Sequence, residues 1–357
     1  QACRLIDSAV YSLPPPRAAE VLCGEGPVAG SGWRSTMDLR ASCGAIWCDT
    51  DAGFDDLLAL GALARSGNLH FVTTVSGACE DARVGALRVR GMLRAVGCGT
   101  IPVVPGLDAP QVPNLEWLTS ARATLISWAE EQRLTDLETT LHAATTAEDD
   151  APTMQAALRN FLQSAEGNSV RLLALGPLSN IANVLSTPEC AELVQQKVGG
   201  ITIMGGNQIV TKPRRDYPEF NFMCDPAAAA AVFSSSFLTP LINVVGVDVC
   251  TANDPAHKDG VERLSQGSDI LCSLVRTNWY ASVADPLAAF CSLYPDRIEW
   301  CALQLAIDPT SGVVAADNSG AHPKIQVAAS VIERVKYFDW LVQCASLGQQ
   351  PPCRSQI

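Results

Sequence analysis

Charge is scarce in this chain, and what there is leans one way. Only 17% of the 357 residues are charged, with 25 Lys and Arg against 37 Asp and Glu, for a net charge of −12. Such a chain has little with which to neutralise a phosphate backbone, so nucleic-acid binding is excluded as a function. No run of about 18 uninterrupted apolar residues occurs, and no membrane span is expected. The 14 cysteines are scattered and contain no Cys-x-x-Cys pair, so the set reads as mostly reduced and the protein as intracellular, in the cytoplasm. Cys48 and Cys224 read as small buried apolar residues. There is no internal repeat and no domain-sized linker. With 48% apolar residues, the chain has the material for one large domain carrying extensions. Residues 1–40 are rich in Pro, Gly and Arg and lack a signal-peptide layout; they read as a fragment edge, a processed leader or a poorly ordered arm. The expected division is an N-terminal extension over 1–43, a domain over 44–346 and a tail over 347–357.

What the chain does have is a dense acidic motif. Asp49, Asp51, Asp55 and Asp56 follow directly on the apolar run Ala45-Ile46-Trp47, and after them comes the Ala/Leu-rich stretch Leu57-Leu58-Ala59-Leu60-Gly61-Ala62-Leu63. The pattern is a strand, a turn full of carboxylates, then a buried helix. In an open parallel sheet that turn lies at the carboxyl end of the strand, where such folds place ligands. One reading is that Asp55 and Asp56 cap the helix. An EF-hand loop shares the Asp-x-Asp opening, but it needs Gly one position later and a Glu where Leu60 stands. A phosphatase with an Asp nucleophile wants a hydroxyl or β-branched residue at Gly53 and a basic phosphate clamp that is not evident. A cluster this dense repels itself unless a cation sits in it. The remaining reading is a hard-cation site whose oxygen ligands hold and activate water.

Elsewhere strand and helix patterns alternate. Strands are expected at 69–76, 101–104, 170–175, 200–204, 241–249 and 324–332, with helices at 81–96, 152–165, from Ser179, from Asp225-Pro226 and at 335–345. This order implies a parallel sheet. The long polar loop 207–223 marks a functional segment. Pro218-Glu219-Phe220-Asn221 and Asp285-Pro286 would be an ordinary loop and an ordinary helix start in most chains, but both fall on carboxyl-side connections of the same sheet.

Taken together, Asp49-Thr50-Asp51-Ala52-Gly53-Phe54-Asp55-Asp56, Thr73-Thr74-Val75-Ser76-Gly77, Leu175-Gly176-Pro177-Leu178-Ser179-Asn180, Met204-Gly205-Gly206, Glu219-Phe220-Asn221 with Asp225-Pro226, and Asp285-Pro286 resemble the calcium-dependent nucleoside hydrolases, the inosine-uridine-preferring type and its relatives. The resemblance covers roughly residues 44–345. It implies an α/β fold with an open, mostly parallel sheet flanked by helices, a bound Ca²⁺, and hydrolysis of the N-glycosidic bond of ribonucleosides to ribose and free base. Family members are commonly dimers or tetramers, so a homo-oligomer is implied too. By the same resemblance Asp51, Asp56 and Asp285 are side-chain ligands of Ca²⁺ and Leu175 a backbone-carbonyl ligand, the metal orienting the sugar and delivering the attacking water. Asp51 is the residue that takes the proton from that water. Asp55 resembles the ribose-hydroxyl acceptor, Glu219 and Asn221 the pair that hold the far hydroxyls, Met204 the residue beneath the sugar, and Asp49 a support for the ligand set.

The departures carry equal weight. Ala52 stands where the family usually has Pro, and Ala78 where it has a ribose-binding Asn. Ala284 replaces the His that protonates the departing base in the inosine-uridine type. Lys212, Pro213 and Arg214 occupy the region of a further Asn, for which Asn207 is the substitute at hand. Purine-specific members lack the His and stack the base between aromatic rings, a role open to Trp117, Trp279 or Tyr280. His257 is the nearest alternative acid and reads as a solvated loop residue. The competing expectation is a degenerate member that binds Ca²⁺ and a ribosyl ligand with little or no hydrolysis.

Overall fold

The computed structural model describes residues 44–132, 134, 153–207, 209–210, 217–250, 254–317 and 323–347. The first strand, β1 (Ala45–Thr50), is flanked in parallel by β2 (Leu69–Thr74) and β4 (Val170–Ala174). The pleat sorts its side chains to opposite faces. Ile46 and Cys48 join one apolar core and Trp47 the other, so β1 is buried on both sides, as parallel strands are.

The remaining strands are β3 (Val103–Pro105), β5 (Val198–Met204), β6 (Ile242–Val245), β7 (Ile298–Ile307), β8 (Val314–Ala316) and β9 (Lys324–Val331). They complete a nine-stranded sheet in the order β3-β2-β1-β4-β5-β6-β9-β7-β8. All pairings from β3 through β9 are parallel; β7 runs antiparallel to both β9 and β8. The expected parallel, helix-flanked sheet is present, with an antiparallel edge at 298–316 that no expected strand covered. The strand expected at 241–249 is shorter, because the chain leaves the sheet after Val245.

The helices that cover the face shared by Ile46 and Cys48 include α1 (Phe54–Arg65), α2 (Ala82–Ala95) and α3 (Glu116–Glu131). On the opposite face lie α4 (Met154–Ser164), α5 (Ser179–Ser186) and α6 (Pro188–Lys197), with the short α7 (Phe220–Cys224) and α8 (Pro226–Phe233). The chain returns to the first face with α9 (Pro255–Ser265), α10 (Ile270–Thr277), α11 (Asp285–Leu293) and α12 (Arg334–Leu347). α1 is buried almost along its whole length, as its Ala/Leu composition demands. Asp225 caps α8 through its carboxylate, which accepts from the Ala228 N–H at 3.0 Å. Cys48 and Cys224 are buried and free; Cys301 is disulfide-bonded. Among the described residues no helix is long and apolar enough to cross a membrane.

From β1 the chain passes through α1 to β2 on one side, and later enters β4 on the other. The crevice beyond the carboxyl ends of β1 and β4 is thus a switch point of the sheet, the place where folds of this kind bind ligands.

Candidate functional site

Three loops meet at that switch point and are tied by backbone hydrogen bonds. Val75 N–H donates to Thr50 O at 2.9 Å, Leu175 N–H to Asp49 O at 2.8 Å, and Cys79 N–H to Asp51 O at 2.9 Å. Glycines permit the crowding. A Cβ on Gly77 would sit 2.3 Å from Asp51 Oδ2, and one on Gly176 would sit 2.9 Å from the Asp51 backbone nitrogen. Ala52, between the two halves of the acidic motif, adopts φ +57°, a left-handed conformation that costs an L-residue roughly 1–2 kcal/mol.

The carboxylates converge there. Oxygens of Asp55, Asp56 and Asp285 all lie within 4.8 Å of one another, the first two at the start of α1 and the third at the start of α11. The Asp56 side chain is within hydrogen-bond reach of both Asp51 and Asp285, so Asp51 joins the group through Asp56. Asp56 also caps α1, accepting from Gly53 N–H at 3.0 Å and from the Thr50 hydroxyl. Capping and clustering therefore coexist in one side chain. Asp51 Oδ2 accepts from the Ala78 N–H at 2.7 Å.

Burial pushes these acids toward their neutral forms. The pKa of Asp51 is raised well above the usual range by desolvation and then by Asp56, and that of Asp285 by desolvation and then by Asp55 and Asp56. Asp55 is raised to about 7, by desolvation first and Asp56 second. No Lys or Arg pairs with these four carboxylates among the described residues. Buried acids with no basic partner, offering oxygen donors alone, suit a hard cation, and the cluster could hold a metal ion.

Asp49 is held apart from that cluster. Its Oδ1 accepts from the Thr73 hydroxyl at 2.5 Å and from Asn180 Nδ2 at 2.8 Å, while its Oδ2 is buried without a hydrogen-bond partner. Thr73 Oγ1 in turn accepts from the indole N–H of Trp47 at 2.9 Å. Desolvation raises the Asp49 pKa to about 7, against the lowering effect of its two donors.

Across the crevice, Glu219 caps α7. Its Oε1 accepts from Asn221 N–H at 2.9 Å, and its Oε2 from Phe222 N–H at 3.3 Å and Gly206 N–H at 3.4 Å. Burial still lifts its pKa to about 7. Asn221 Nδ2 donates to Leu175 O at 2.8 Å and to Met204 O at 3.3 Å. The carbonyl expected to face a metal is thus already oriented by a side chain expected to face the sugar. Met204 is buried at the end of β5, and Asn207 Nδ2 donates to Tyr217 O at 3.3 Å.

The three aromatic candidates separate. Trp117 packs edge-on against Phe220, centroids 5.3 Å apart, beside Glu219 and Asn221. Trp279 instead meets Tyr280 and His257, at 5.9 and 6.3 Å. His257 corrects an expectation: it lies on α9, 2% exposed, its ring edge-on to Phe338 of α12. Burial first, and Arg334 second, lower its pKa to about 4, so it is a core residue and not a solvated loop acid. Ala284 is buried at the N-cap of α11. Lys212, Pro213 and Arg214, like residues 1–43 and 348–357, lie outside the described residues.

The fold gives two further residues a role. The Asn180 amide bridges Asp49 to Thr74 O at 2.9 Å, and its Oδ1 accepts from Leu107 N–H at 2.8 Å. The other is Arg122 of α3, for which the sequence does hold a signal: it shares a helical stripe with Leu118, Leu125 and Ala129, and a charge on an apolar stripe needs a partner.

A cluster of acids at the switch point of a mostly parallel sheet, where such folds place their ligands, marks an α/β protein with a candidate cation site. The sequence profile of the inosine-uridine preferring nucleoside hydrolases matches residues 46–339, and the chain belongs to that family. Among curated relatives, a non-specific ribonucleoside hydrolase RihC of Escherichia coli is 32% identical over 209 residues, covering 57% of this chain and 61% of the relative. One of Klebsiella pneumoniae is 31% identical over 216 residues, with the same coverage. The matched stretch therefore spans about three-fifths of the length of those relatives. Solved structures share the fold. The inosine-uridine preferring nucleoside hydrolase from Bacillus anthracis superposes with a TM-score of 0.64 at 18% identity, over 85% of this chain and 99% of the other. The purine-preferring ribonucleoside hydrolase from Gardnerella vaginalis gives the same values.

Proposed function

We propose that this protein is a Ca²⁺-dependent N-ribohydrolase that cleaves ribonucleosides to ribose and free base. The observation that carries the reading is the convergence of Asp55, Asp56 and Asp285, with Asp51 joined through Asp56, at the switch point of the sheet with no Lys or Arg paired to them among the described residues. Asp51, Asp56, Asp285 and the Leu175 carbonyl would hold the ion, which when bound supplies charge to activate water and to orient ribose hydroxyls.

The chain's own groups do the rest. Asp51 accepts the proton of the attacking water, its second oxygen fixed by the Ala78 N–H. Asp55 accepts from a ribose hydroxyl, and Glu219 and Asn221 hold the far side of the sugar. These carboxylates also stabilise the positive charge that develops on the ribosyl ring as the base departs. Asp49 supports the ligand set from behind through β1. With Ala284 in place of an acid, activation of the leaving base falls to stacking. Trp117 is the aromatic best supported for that role, because its ring packs on the helix that carries Asn221.

The test is hydrolysis of 4-nitrophenyl ribofuranoside beside inosine, adenosine, guanosine, uridine and cytidine, with and without a chelator. The nitrophenolate leaves without an acid, so chelator-sensitive cleavage of it is the expected minimum. Cleavage of the purine nucleosides as well supports stacking in place of the missing His. No cleavage of any of them by folded, calcium-loaded protein overturns the reading in favour of a member that binds without hydrolysing.

A further inference from the structure

The three backbone carbonyls that the Arg122 side chain binds are consecutive in the chain. Its Nε donates to Ala78 O at 2.9 Å, and its Nη2 to Gly77 O at 2.8 Å and Cys79 O at 2.9 Å. The planar guanidinium suits this task, because its donors form a fixed fork that orders a loop more completely than a single ammonium can. On the opposite side of the same loop, the Ala78 N–H points at Asp51 Oδ2. The segment 77–79 is thus held between a cation that grips its carbonyls and a carboxylate that receives its amide.

The loop has other ties, the Cys79 N–H to Asp51 O at 2.9 Å, the Gly77 N–H to Cys79 O at 3.2 Å and Cys79 Sγ to Val75 O at 3.2 Å, but none of them holds the peptide between Gly77 and Ala78. Gly77 has no side chain, and the Ala78 side chain is a single methyl. The helix behind Arg122 is, by contrast, well anchored: Leu118, Leu125 and Trp128 are buried, and the Trp128 indole donates to Ser273 Oγ at 2.8 Å. α3 is a rigid platform, and Arg122 is the arm that transmits its position to the crevice.

We propose that Arg122 is a positioning residue that, by clamping the three carbonyls of residues 77–79, aims the Ala78 amide at Asp51 and so fixes the orientation of the carboxylate that accepts the proton of water. The proposal rests on the hydrolase reading for its catalytic part, while the clamp itself is a claim about the loop alone.

The two parts separate experimentally. Arg122→Met, Arg122→Lys and, as a control on the same helix face, Leu118→Ala are compared with the parent protein by two measurements. The first is amide hydrogen exchange over residues 77–79; the second is kcat and KM for 4-nitrophenyl ribofuranoside with saturating Ca²⁺. In Arg122→Met, exchange at 77–79 is expected to rise while the core strands stay protected. A misplaced catalytic group costs up to about 100-fold, so kcat is expected to fall by about 10- to 100-fold with KM little changed. Arg122→Lys, which can satisfy part of the carbonyl set, recovers part of both. Leu118→Ala melts earlier but keeps its kcat. Unchanged exchange at 77–79 in Arg122→Met overturns the clamp. Faster exchange there with kcat unchanged, or a kcat loss that Leu118→Ala matches at equal loss of thermal stability, overturns the positioning role. If the parent protein hydrolyses nothing, the hydrolase reading falls and the catalytic part with it, while exchange still decides the clamp.

Discussion

At Ala52 the backbone takes φ +57°, a value closed to proline, whose ring holds φ near −65°. The resemblance nonetheless puts proline at this position in most relatives. Ala52 is thus a departure from the family motif that removes no ligand, at a position whose backbone here excludes proline. Ala52→Gly should raise stability by about 1 kcal/mol by removing the Cβ penalty, whereas Ala52→Pro should destabilise and displace the acidic motif. Denaturant unfolding of both variants measures this, and equal stability of the two would contradict the assigned conformation. The carboxylates give a second prediction at the same scale. Asp56→Ala and Asp285→Ala should each abolish tight Ca²⁺ binding in calorimetry, and unchanged affinity in both would remove the metal site. Glu219→Gln keeps an acceptor for the α7 cap but loses its charge, so KM should rise by about tenfold, the worth of one hydrogen bond to a charged group, with Ca²⁺ affinity retained. Loss of calcium instead would reverse that assignment.

Among the elements, the loop after β2 leaves no room for a side chain at Gly77. A methyl at Gly77 would lie 2.3 Å from Asp51 Oδ2, too close for any real contact, so Gly77→Ala must move either the loop or the carboxylate. The expected outcome is a fall in kcat of tenfold or more with the secondary structure intact by circular dichroism; full activity would show that the crevice yields more readily than its packing suggests. The limits of legibility also lie at this scale. The motif from Asp49 to Asp56 is readable because strand, turn and helix are contiguous, and local chemistry announces itself locally. Arg122 is not, since its meaning depends on a loop more than forty residues earlier in the chain. His257 misleads for the same reason: the ring that buries it, Phe338, belongs to the last helix described. The edge β7–β8 escapes a sequence reading because part of its surface faces solvent, as its mixed burial shows, and its pattern lacks the continuous apolar run of a strand buried on both faces. The site roles rest on resemblance; what the structure adds is that Asn221 orients Leu175 O, a relation between two motifs that neither contains.

For the molecule as a whole, the acids set the dependence of stability on pH. Asp49, Asp55 and Glu219 sit near pKa 7 in the folded, metal-free chain, each raised chiefly by burial. The unfolded chain would ionise them near 4. Between those limits the folded state binds more protons than the unfolded one, so stability is full below about pH 4 for these groups and falls as pH rises toward 7. A tenfold difference in proton affinity between the two states corresponds to about 1.4 kcal/mol for each acid. Chelator-treated protein should therefore melt at a lower temperature at pH 8 than at pH 5. On the proposed calcium reading, saturating Ca²⁺ should raise the melting temperature at pH 8 and so narrow that difference by mass action. A metal-free melting temperature that does not change across this range would contradict the buried, unpartnered state of the acids.

The chain of donors from the Trp47 indole through Thr73 to Asp49 turns the core of the sheet into an optical reporter. The indole is fully buried, so its emission is shielded from bulk quenchers and answers to the charge two hydrogen bonds away. Any event that fixes Asp49 as the anion, cation loading of the adjoining crevice included, alters the field along that ring. The expected outcome is a change of intrinsic fluorescence on ligand addition that is lost when Trp47 is replaced by Phe, with the other six tryptophans kept in both proteins.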